Sequence, residues 1–317
     1  MKFIFPILTT AIILTLLVLL IAYICFRIVF YVPRKNETPS DELPVPEGEL
    51  YEPYHPLMKK WIEEARGFAH EDFYIKSNDG LTLHAKYFEY APGAPMEIMF
   101  HGYRSEPTHD FGPLAYDLLK MGLMLLIPDQ RAHGGSEGKH ITFGVKESLD
   151  CVLWAELVAK EFENSPIILT GVSMGASTVL LASAKKLPKN VVCILADCPY
   201  SSPKAILCSV IKQMGFPVKP AYALAKLSAK WLGKFDMEES SAIEAVRESK
   251  IPILILHGDA DDFVPCSMSM DCQVAGEEQV QLVLIKGAAH GMSHCVDTPS
   301  YEAAAYAFFQ RTGGISE

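Results

Sequence analysis

A serine between two glycines, in the stretch Gly171-Val172-Ser173-Met174-Gly175, is the best-placed nucleophile in this chain. The apolar run 166–170 precedes it and a helix-compatible stretch follows, which predicts a strand, a sharp turn and a helix. Such a turn strains the backbone of the serine and leaves little room for side chains two residues to either side, where the glycines stand. The pattern therefore predicts an exposed hydroxyl at a helix N-terminus, whose amides favour negative charge.

An acid and a base follow later in the chain, each directly after a predicted strand. The apolar residues 253–256 run into an acidic turn that contains Asp261. The apolar residues 281–285 run into a turn of small residues that contains His290. The order is therefore serine, acid, histidine, and these are the three groups that nucleophilic acyl transfer requires.

A further loop begins at residues 101–103, after the apolar run 96–100. Its backbone is expected to supply one amide of an oxyanion hole, and the amide that follows the nucleophile supplies the other. The predicted donors are the backbone N–H groups of Tyr103 and Met174, and their side chains have no part in that role.

Taken together, these motifs resemble those of the α/β-hydrolase superfamily over residues 70–312. The run Asp129-Gln130-Arg131-Ala132-His133-Gly134-Gly135-Ser136 is also similar to the D-x-R-G-H-G-x-S loop of that superfamily, with Ala132 where glycine is usual. The resemblance implies an α/β fold with a mostly parallel central sheet and helices on both faces. It also implies a serine hydrolase in which the acid orients the histidine, the histidine activates the serine, and water releases the acyl-enzyme.

Two other residues compete for the acid and base roles. Asp197 ends the apolar run 191–196, and some members of the superfamily carry their acid after that strand. Asp261 fits better, because it lies three residues after Gly258, as in the pattern H-G-x-x-D-x-x-V-P. His294 is the alternative base, and its other interpretation is a histidine of a surface loop.

The remaining polar candidates have simpler explanations. His101, His257 and Asp129 are expected to hold their own loops through side-chain hydrogen bonds. The sequence contains neither H-E-x-x-H nor paired C-x-x-C, and Cys193 and Cys198 suit a packed core better than a metal site. We therefore expect neither a metal nor another cofactor.

Composition fits one catalytic domain, which we place at residues 58–317. Hydrophobic residues make up 50% of the 317, enough for a large core. The formal net charge of −10, without any basic stripe, argues against nucleic-acid binding. The eight cysteines show no framework spacing and indicate mostly reduced thiols.

The predicted elements begin with a hairpin over residues 72–89, followed from residue 96 by alternating strands and helices. Helices are predicted over residues 109–120, 143–162, 173–186 and 299–310. The segment 199–250 breaks the alternation. It is interpreted as a small lid over the acyl pocket, or else as a long crossover helix packed on the sheet.

The N-terminus is predicted to be a transmembrane anchor, residues 1–32. Residues 3–25 contain no charged side chain and are long enough to span a bilayer as a helix. A cleavable signal peptide is the alternative, but no small-residue cleavage site follows the apolar run. Residues 33–57 are rich in proline and read as an extended spacer that holds the domain off the bilayer. The flanking basic residues differ too little to decide which side the domain faces.

The favoured function is thus a membrane-anchored serine hydrolase that cleaves an ester or other acyl bond in a small-molecule or lipid-like substrate. A serine peptidase of the same fold is the alternative, because the same three groups cleave amides. A non-catalytic binding scaffold is a third possibility, and the intact serine, acid and histidine set argues against it. The sequence does not indicate an oligomeric state.

Overall fold

The structure is a computed structural model that describes residues 4–33, 45–107, 110–111, 121–163 and 165–315. Within these ranges one sheet contains the strands β1 Glu71–Lys76, β2 Thr82–Phe88, β3 Met96–Phe100, β4 Met124–Pro128, β5 Ile167–Val172, β6 Val191–Asp197, β7 Ile253–Gly258 and β8 Val280–Ile285. Their spatial order is β1-β2-β4-β3-β5-β6-β7-β8. β2 is antiparallel to both of its neighbours and the other pairs are parallel, which confirms the predicted sheet.

Helices occupy most of the connections between strands. They are α1 Ile4–Val29, α2 His55–Arg66, α3 Glu147–Glu161, α4 Met174–Ala182, α5 Pro203–Gln213, α6 Val218–Ser228, α7 Ala242–Glu248, α8 Ser267–Gly276, α9 Ser293–Val296 and α10 Thr298–Thr312. A π-helical turn, Ala229–Gly233, continues α6, and 3₁₀ turns lie at Glu52–Tyr54 and Glu277–Gln279. The helix predicted over 109–120 lies outside the described residues, apart from 110–111.

Side chains of the strands alternate between two apolar cores, one on each face of the sheet. Ile98 and Phe100 of β3 lie in a core that α3, α4, α7 and α8 complete. Met99, between them, lies in the opposite core, where Phe308 and Phe309 of α10 pack. Burial on both faces explains why these strands are almost wholly apolar. The architecture is the predicted α/β arrangement with helices on both faces.

The segment 199–250 forms three separate short helices, α5, α6 and α7, and not one long crossover helix. α5 and α6 form a helical hairpin, and α7 is a crossover helix packed on α4 and α8. Ile206 and Tyr222 of the hairpin lie in a third apolar core together with Met174, the first residue of α4. The α5–α6 hairpin therefore covers the end of the sheet where the predicted nucleophile stands.

The last turns of α1 pack against this hairpin. Ala22, Phe26 and Phe30 recur every four residues and are buried. The Phe30 ring lies 5.7 Å from the ring of Phe143 and 5.4 Å from that of Phe235. The end of α1 is thus part of the third core.

Most of the rest of α1 is apolar and exposed. Among the described residues, one helix, Ile7–Val29, is long and apolar enough to cross a membrane. A signal sequence near an N-terminus meets the same criterion of length and composition, so α1 is a candidate for either.

The proline-rich segment differs from the expected extended spacer. Residues 34–44 lie outside the described part of the chain. From residue 45 onward the chain contacts the α/β domain, because Tyr51 and Tyr54 pack with Met58 and Met292. Since α1 also contacts the domain directly, the domain is not held at a distance from the helix. The sequence could not reveal this, because these contacts join residues far apart in the chain.

Candidate active site

Ser173 occupies the turn between β5 and α4 in a strained backbone conformation, with φ 55° and ψ −110°. A Cβ on Gly171 would overlap the backbone of Gly175, and a Cβ on Gly175 would overlap the Phe100 carbonyl. The close approach of strand, turn and helix therefore requires both glycines. The turn is the one predicted from the sequence. The serine itself is buried, with 8% of its surface accessible, and not exposed as expected, because the core that contains Met174 and the α5–α6 hairpin packs over this end of the sheet.

Ser173, His290 and Asp261 form one chain of hydrogen bonds. Ser173 Oγ lies 2.9 Å from His290 Nε2, and His290 Nδ1 lies 2.7 Å from Asp261 Oδ2. The three residues follow β5, β8 and β7, and these parallel strands present their carboxyl ends at one edge of the sheet. The structure thus brings together the three residues singled out in the sequence, at distances suited to proton transfer.

Asp261 is a buried carboxylate held by several donors. Its Oδ1 accepts hydrogen bonds from the backbone amides of Phe263 and Val264, at 3.0 and 2.8 Å. Its Oδ2 bonds with the rings of His257 and His290. Burial alone would raise the pKa of this carboxyl, but these hydrogen bonds outweigh burial and lower the pKa to about 2. A carboxylate that stays charged keeps a proton on the Nδ1 atom that faces it, which leaves Nε2 free to accept the serine proton.

The two competing residues lie outside this chain of hydrogen bonds. Asp197 ends β6, and its Oδ1 accepts a bond from Ser293 Oγ at 3.2 Å. Its burial raises the pKa of the carboxyl to about 6. His294 is also buried, against the rings of Trp61 and Tyr301. The interpretation of His294 as a surface histidine is therefore wrong, because α2 and α10 cover the turn that carries it.

Both predicted oxyanion donors flank the nucleophile. Met174 follows Ser173 directly and begins α4, where backbone N–H groups have no partner within the helix. Tyr103 follows Gly102, which approaches Ser173 so closely that an added Cβ would lie 3.6 Å from the serine Cβ. The amide of Gly102 donates to Asp110 at 2.5 Å, which anchors the start of this loop.

The side chains of the same loop bind the end of α1. Tyr103 Oη donates to the Val29 carbonyl at 2.7 Å. Arg104 Nη2 donates to the carbonyls of Ile28 and Tyr31, at 2.7 and 3.0 Å. Carbonyls at a helix C-terminus lack partners within the helix, so these side chains satisfy them. No motif in the sequence indicated this contact, and the Tyr103 side chain was expected to have no part in the site.

Buried polar side chains hold the loops of the site, as predicted for three of them. His101 Nε2 accepts the backbone amide of Gln130 at 3.0 Å. Asp129 bonds with His84 Nδ1 at 2.7 Å and with the amide of its own loop at residue 135, at 2.8 Å. His257 bonds with the Asp261 carboxylate. The structural roles predicted for His101, Asp129 and His257 are confirmed.

Two residues beside the catalytic candidates, Phe263 and Tyr51, were missed in the sequence, and a third, Cys198, was assigned only to the core. The Phe263 ring lies 5.0 Å from the His290 ring, and Tyr51 Oη donates to the His290 carbonyl at 3.4 Å. Cys198 Sγ lies within 4.8 Å of a ligand atom of both Asp261 and His290. Burial raises the pKa of this thiol well above its ordinary value. A protonated thiol, beside an imidazole already bonded to the carboxylate, is poorly suited to bind a metal.

A sequence model for the family described as serine aminopeptidase, S33, matches residues 96–235. The fold is similar to that of the esterase Pf2001 from Pyrococcus furiosus, with a TM-score of 0.65 and 23% identity. That similarity covers 78% of this chain and 93% of the esterase chain.

Two proteins of similar sequence extend the comparison. The uncharacterized protein YqkD of Bacillus subtilis is 25% identical over 201 residues, which cover 63% of this chain and 66% of YqkD. The alpha/beta hydrolase domain-containing protein WAV2 of Arabidopsis thaliana is 24% identical over 221 residues, 68% of this chain and 70% of WAV2. The mostly parallel sheet with helices on both faces is the α/β-hydrolase fold, and with the serine, acid and histidine in this order these matches support the α/β-hydrolase superfamily for this chain.

Proposed function

We propose that this protein is a serine hydrolase that cleaves esters through Ser173, His290 and Asp261 and a covalent acyl-enzyme. The observation that carries the proposal is the hydrogen-bonded chain from the serine hydroxyl through the imidazole to a buried carboxylate. A hydrolase of the esterase or peptidase type agrees with the family match and the structural neighbour.

In the first half of the reaction, His290 Nε2 takes the proton of Ser173 Oγ as that oxygen attacks the carbonyl carbon of the substrate. Asp261 remains ionised and stabilises the imidazolium. The N–H groups of Tyr103 and Met174 bind the oxyanion. The imidazolium then gives its proton to the leaving alkoxide, which departs as an alcohol and leaves the acyl group on the serine.

In the second half, a water molecule takes the place of the alcohol. His290 removes a proton from the water as its oxygen attacks the acyl carbon, and the oxyanion forms again at the same two amides. Collapse of this intermediate breaks the bond to Ser173 Oγ, which recovers the proton from the imidazolium. The products are a carboxylic acid and the free enzyme.

An apolar acyl group is the expected substrate, because the third core adjoins the nucleophile. Phe143, Tyr200 and Ile206 lie in this core together with Met174. Walls of aromatic and aliphatic side chains bind hydrocarbon chains and aromatic acyl groups. A serine peptidase is the second candidate function, favoured by the description of the matching family.

We further propose that the enzyme is held at a membrane by α1, with residues 1–32 as anchor and residues 58–317 as catalytic domain. The uncharged run of residues 3–25 supports this, and so does the position of Arg27 in the last turn of α1, where a basic side chain can reach the bilayer surface.

The test uses the purified full-length protein and a fluorophosphonate probe, which reacts with activated serines. The wild type should be labelled and Ser173→Ala should not. Ser209→Ala, in the α5–α6 hairpin, is the control and should label like the wild type. Labelling of Ser173→Ala at the wild-type rate would overturn the proposal. Turnover of p-nitrophenyl esters beside aminoacyl and peptidyl anilides then separates an esterase from a peptidase.

A further inference from the structure

One face of α6 and of the π turn that follows is exposed and combines apolar residues with lysine. Its members recur every three or four residues and form what we call the α6 stripe. Lys219, Ala223 and Leu227 lie on α6, Trp231 lies in the π turn, and Phe216 lies two residues before α6 begins. Phe216 is 56% exposed and Trp231 is 52% exposed. Large apolar side chains that line up on one exposed face indicate a surface that binds a partner protein or a membrane.

The opposite face of α6 is buried. Tyr222 and Ala225 lie in the third core, and α1 packs along α6 and the π turn. Gly233, at the end of the π turn, lies so near Phe26 that an added Cβ would be 3.2 Å from its ring. α6 is therefore fixed against the last turns of α1.

This contact sets the depth of α6 relative to a bilayer that α1 crosses. Ala22 and Phe26 lie near the end of the candidate span Ile7–Val29. About 20 residues cross the hydrocarbon core, so a span that begins at Ile7 reaches the far boundary near Phe26. An element packed against Phe26 then lies at the boundary between hydrocarbon and headgroups. Tryptophan is enriched at this depth in membrane proteins.

The charge of the hairpin fits an anionic surface. Residues 203–235 contain six lysines and neither aspartate nor glutamate, in a chain of net charge −10. Lysines 204, 226 and 230 pair with the acidic residues 236 and 238 that follow. Lys212, Lys219 and Lys234 are exposed and form no ion pair within the described part of the chain. Such side chains lay their apolar stems along a membrane surface and extend the ammonium group to lipid phosphates.

We propose that the α6 stripe lies in the headgroup layer of an anionic bilayer leaflet. The domain then meets the membrane through two elements, α1 and the α5–α6 hairpin. A lipid surface fits better than a protein partner, because the stripe adjoins the membrane span and the unpaired charges of residues 203–235 are all positive. The inference rests on the membrane anchorage proposed above and is independent of the reaction that the enzyme catalyses.

The first experiment measures the quenching of tryptophan fluorescence by brominated lipids, with full-length protein reconstituted into phosphatidylcholine–phosphatidylglycerol vesicles. The chain has three tryptophans. Trp61 and Trp154 are buried in the protein, so Trp231 is the one placed to meet lipid. The wild type should be quenched and Trp231→Phe should lose that quenching. Equal quenching of the two proteins, or no quenching of the wild type, would overturn the proposal.

The second experiment tests the charge. In the wild type the quenching should increase with the phosphatidylglycerol content of the vesicles. It should no longer depend on that content in the triple variant Lys212→Gln/Lys219→Gln/Lys234→Gln. A matched control removes three lysines far from the hairpin, in Lys185→Gln/Lys186→Gln/Lys189→Gln, and should behave like the wild type. Equal loss in both triple variants would show a general charge effect and contradict the proposal. Carbonate extraction of the same vesicles shows separately whether α1 is inserted in the bilayer. Fluorophosphonate labelling shows separately whether Ser173 is an activated nucleophile.

Discussion

At the scale of single residues, the environment of each carboxylate decides what it can do. Asp261 and Asp197 both follow a strand near the histidine, and the sequence left both as candidates for the acid. Hydrogen-bond donors surround Asp261, which lowers the pKa of its carboxyl to about 2. Asp197 is also buried but has fewer donors, and burial raises the pKa of its carboxyl to about 6. The carboxylate that stays charged and touches His290 Nδ1 is the one suited to orient the imidazole.

The first prediction compares these two acids. Asp261→Asn should lower kcat by about 10⁴, the order of magnitude found when the acid of such a triad is neutralised and the histidine takes the wrong tautomer. Asp197→Asn should keep most of the activity, since that carboxylate does not contact the imidazole. Steady-state kinetics on one p-nitrophenyl ester measure both. If Asp197→Asn lowered kcat more than Asp261→Asn, the catalytic acid would be Asp197, at the end of β6.

A second prediction concerns Glu97, a fully buried glutamate in β3. Burial raises the pKa of its carboxyl to about 7, and a hydrogen bond from Thr170 partly opposes this. An acid whose pKa is higher in the folded state than in the unfolded state destabilises the fold when it ionises. Stability should therefore fall as the pH rises from about 4.5 through about 7, by roughly 3 kcal/mol in total.

Glu97→Gln should make the fall between pH 5 and pH 8 smaller by the part due to Glu97, because the amide keeps the shape and does not ionise, whereas Asp197, whose pKa burial raises to about 6, still contributes. Denaturant unfolding at pH 5 and pH 8 measures the difference for the wild type and the variant. Glu156→Gln, on α3 and exposed, is the control and should leave the pH dependence of the wild type unchanged. A wild type that is equally stable at both pH values would refute this account of Glu97.

At the scale of elements, α1 belongs to the tertiary structure of the domain. Its first turns expose apolar side chains, whereas its last turns enter the third core and end against the loop that carries Tyr103. One helix therefore links the candidate membrane span with the predicted oxyanion hole. This arrangement leads to two predictions about α1.

The third prediction compares Phe30, the residue that follows α1, with the exposed first half of the helix. Phe30→Ala should destabilise the protein by about 3–5 kcal/mol, because it leaves a cavity among the aromatic rings of the third core. Leu14→Ala, within α1 and 57% exposed, should cost much less. Thermal unfolding in one detergent compares the two variants. Equal losses would mean that the end of α1 is not docked on the domain.

The fourth prediction concerns the bond between the oxyanion loop and α1. Tyr103→Phe removes the hydroxyl that binds the Val29 carbonyl and leaves the backbone amide in place. A hydrogen bond of this kind contributes about 1 kcal/mol, and its loss should loosen the loop that carries the oxyanion donor. We therefore expect kcat to fall by roughly fivefold with little change in KM. Tyr306→Phe, on α10 and exposed, is the control and should leave kcat unchanged. An unchanged kcat in Tyr103→Phe would show that this bond does not position the loop.

At the scale of the whole molecule, the contact between α1 and the domain determines how the enzyme would sit on a membrane. A domain joined only by a long flexible spacer could move freely above the bilayer. Here the helix end, the hairpin and the loop beside the nucleophile contact one another, so the candidate active site lies close to the end of the span. Lipid-like acyl groups at the surface would then be the nearest substrates.

The fifth prediction tests the anchor itself. The full-length protein should remain with membranes through high-salt and carbonate washes, because no peripheral charge contact survives both. Mass spectrometry of the retained protein should find the apolar span of residues 7–29 intact. A soluble form whose N-terminus begins beyond residue 25 would show instead that the segment is a removed signal.

Much of the site could be predicted from sequence because its signals are local. The glycines two residues before and after Ser173 reflect a close approach within one strand, turn and helix. The small residues around His290, and the spacing from Gly258 to Asp261, are likewise local. The alternation of apolar runs with helical stretches predicted the mostly parallel sheet for the same reason, because each βα unit carries its own pattern.

The sequence alone therefore determined the fold class, the catalytic candidates and their order along the chain. Only the tertiary structure placed Asp261 rather than Asp197 against His290, buried His294, and docked the end of α1 and residues 45–57 on the domain. The physical reason is distance along the chain. A turn or a strand depends on residues that are neighbours in the sequence. The hydrogen bonds from Tyr103 to Val29 and from Tyr51 to His290 join segments that lie far apart in the chain, and no local sequence pattern predicts such pairs.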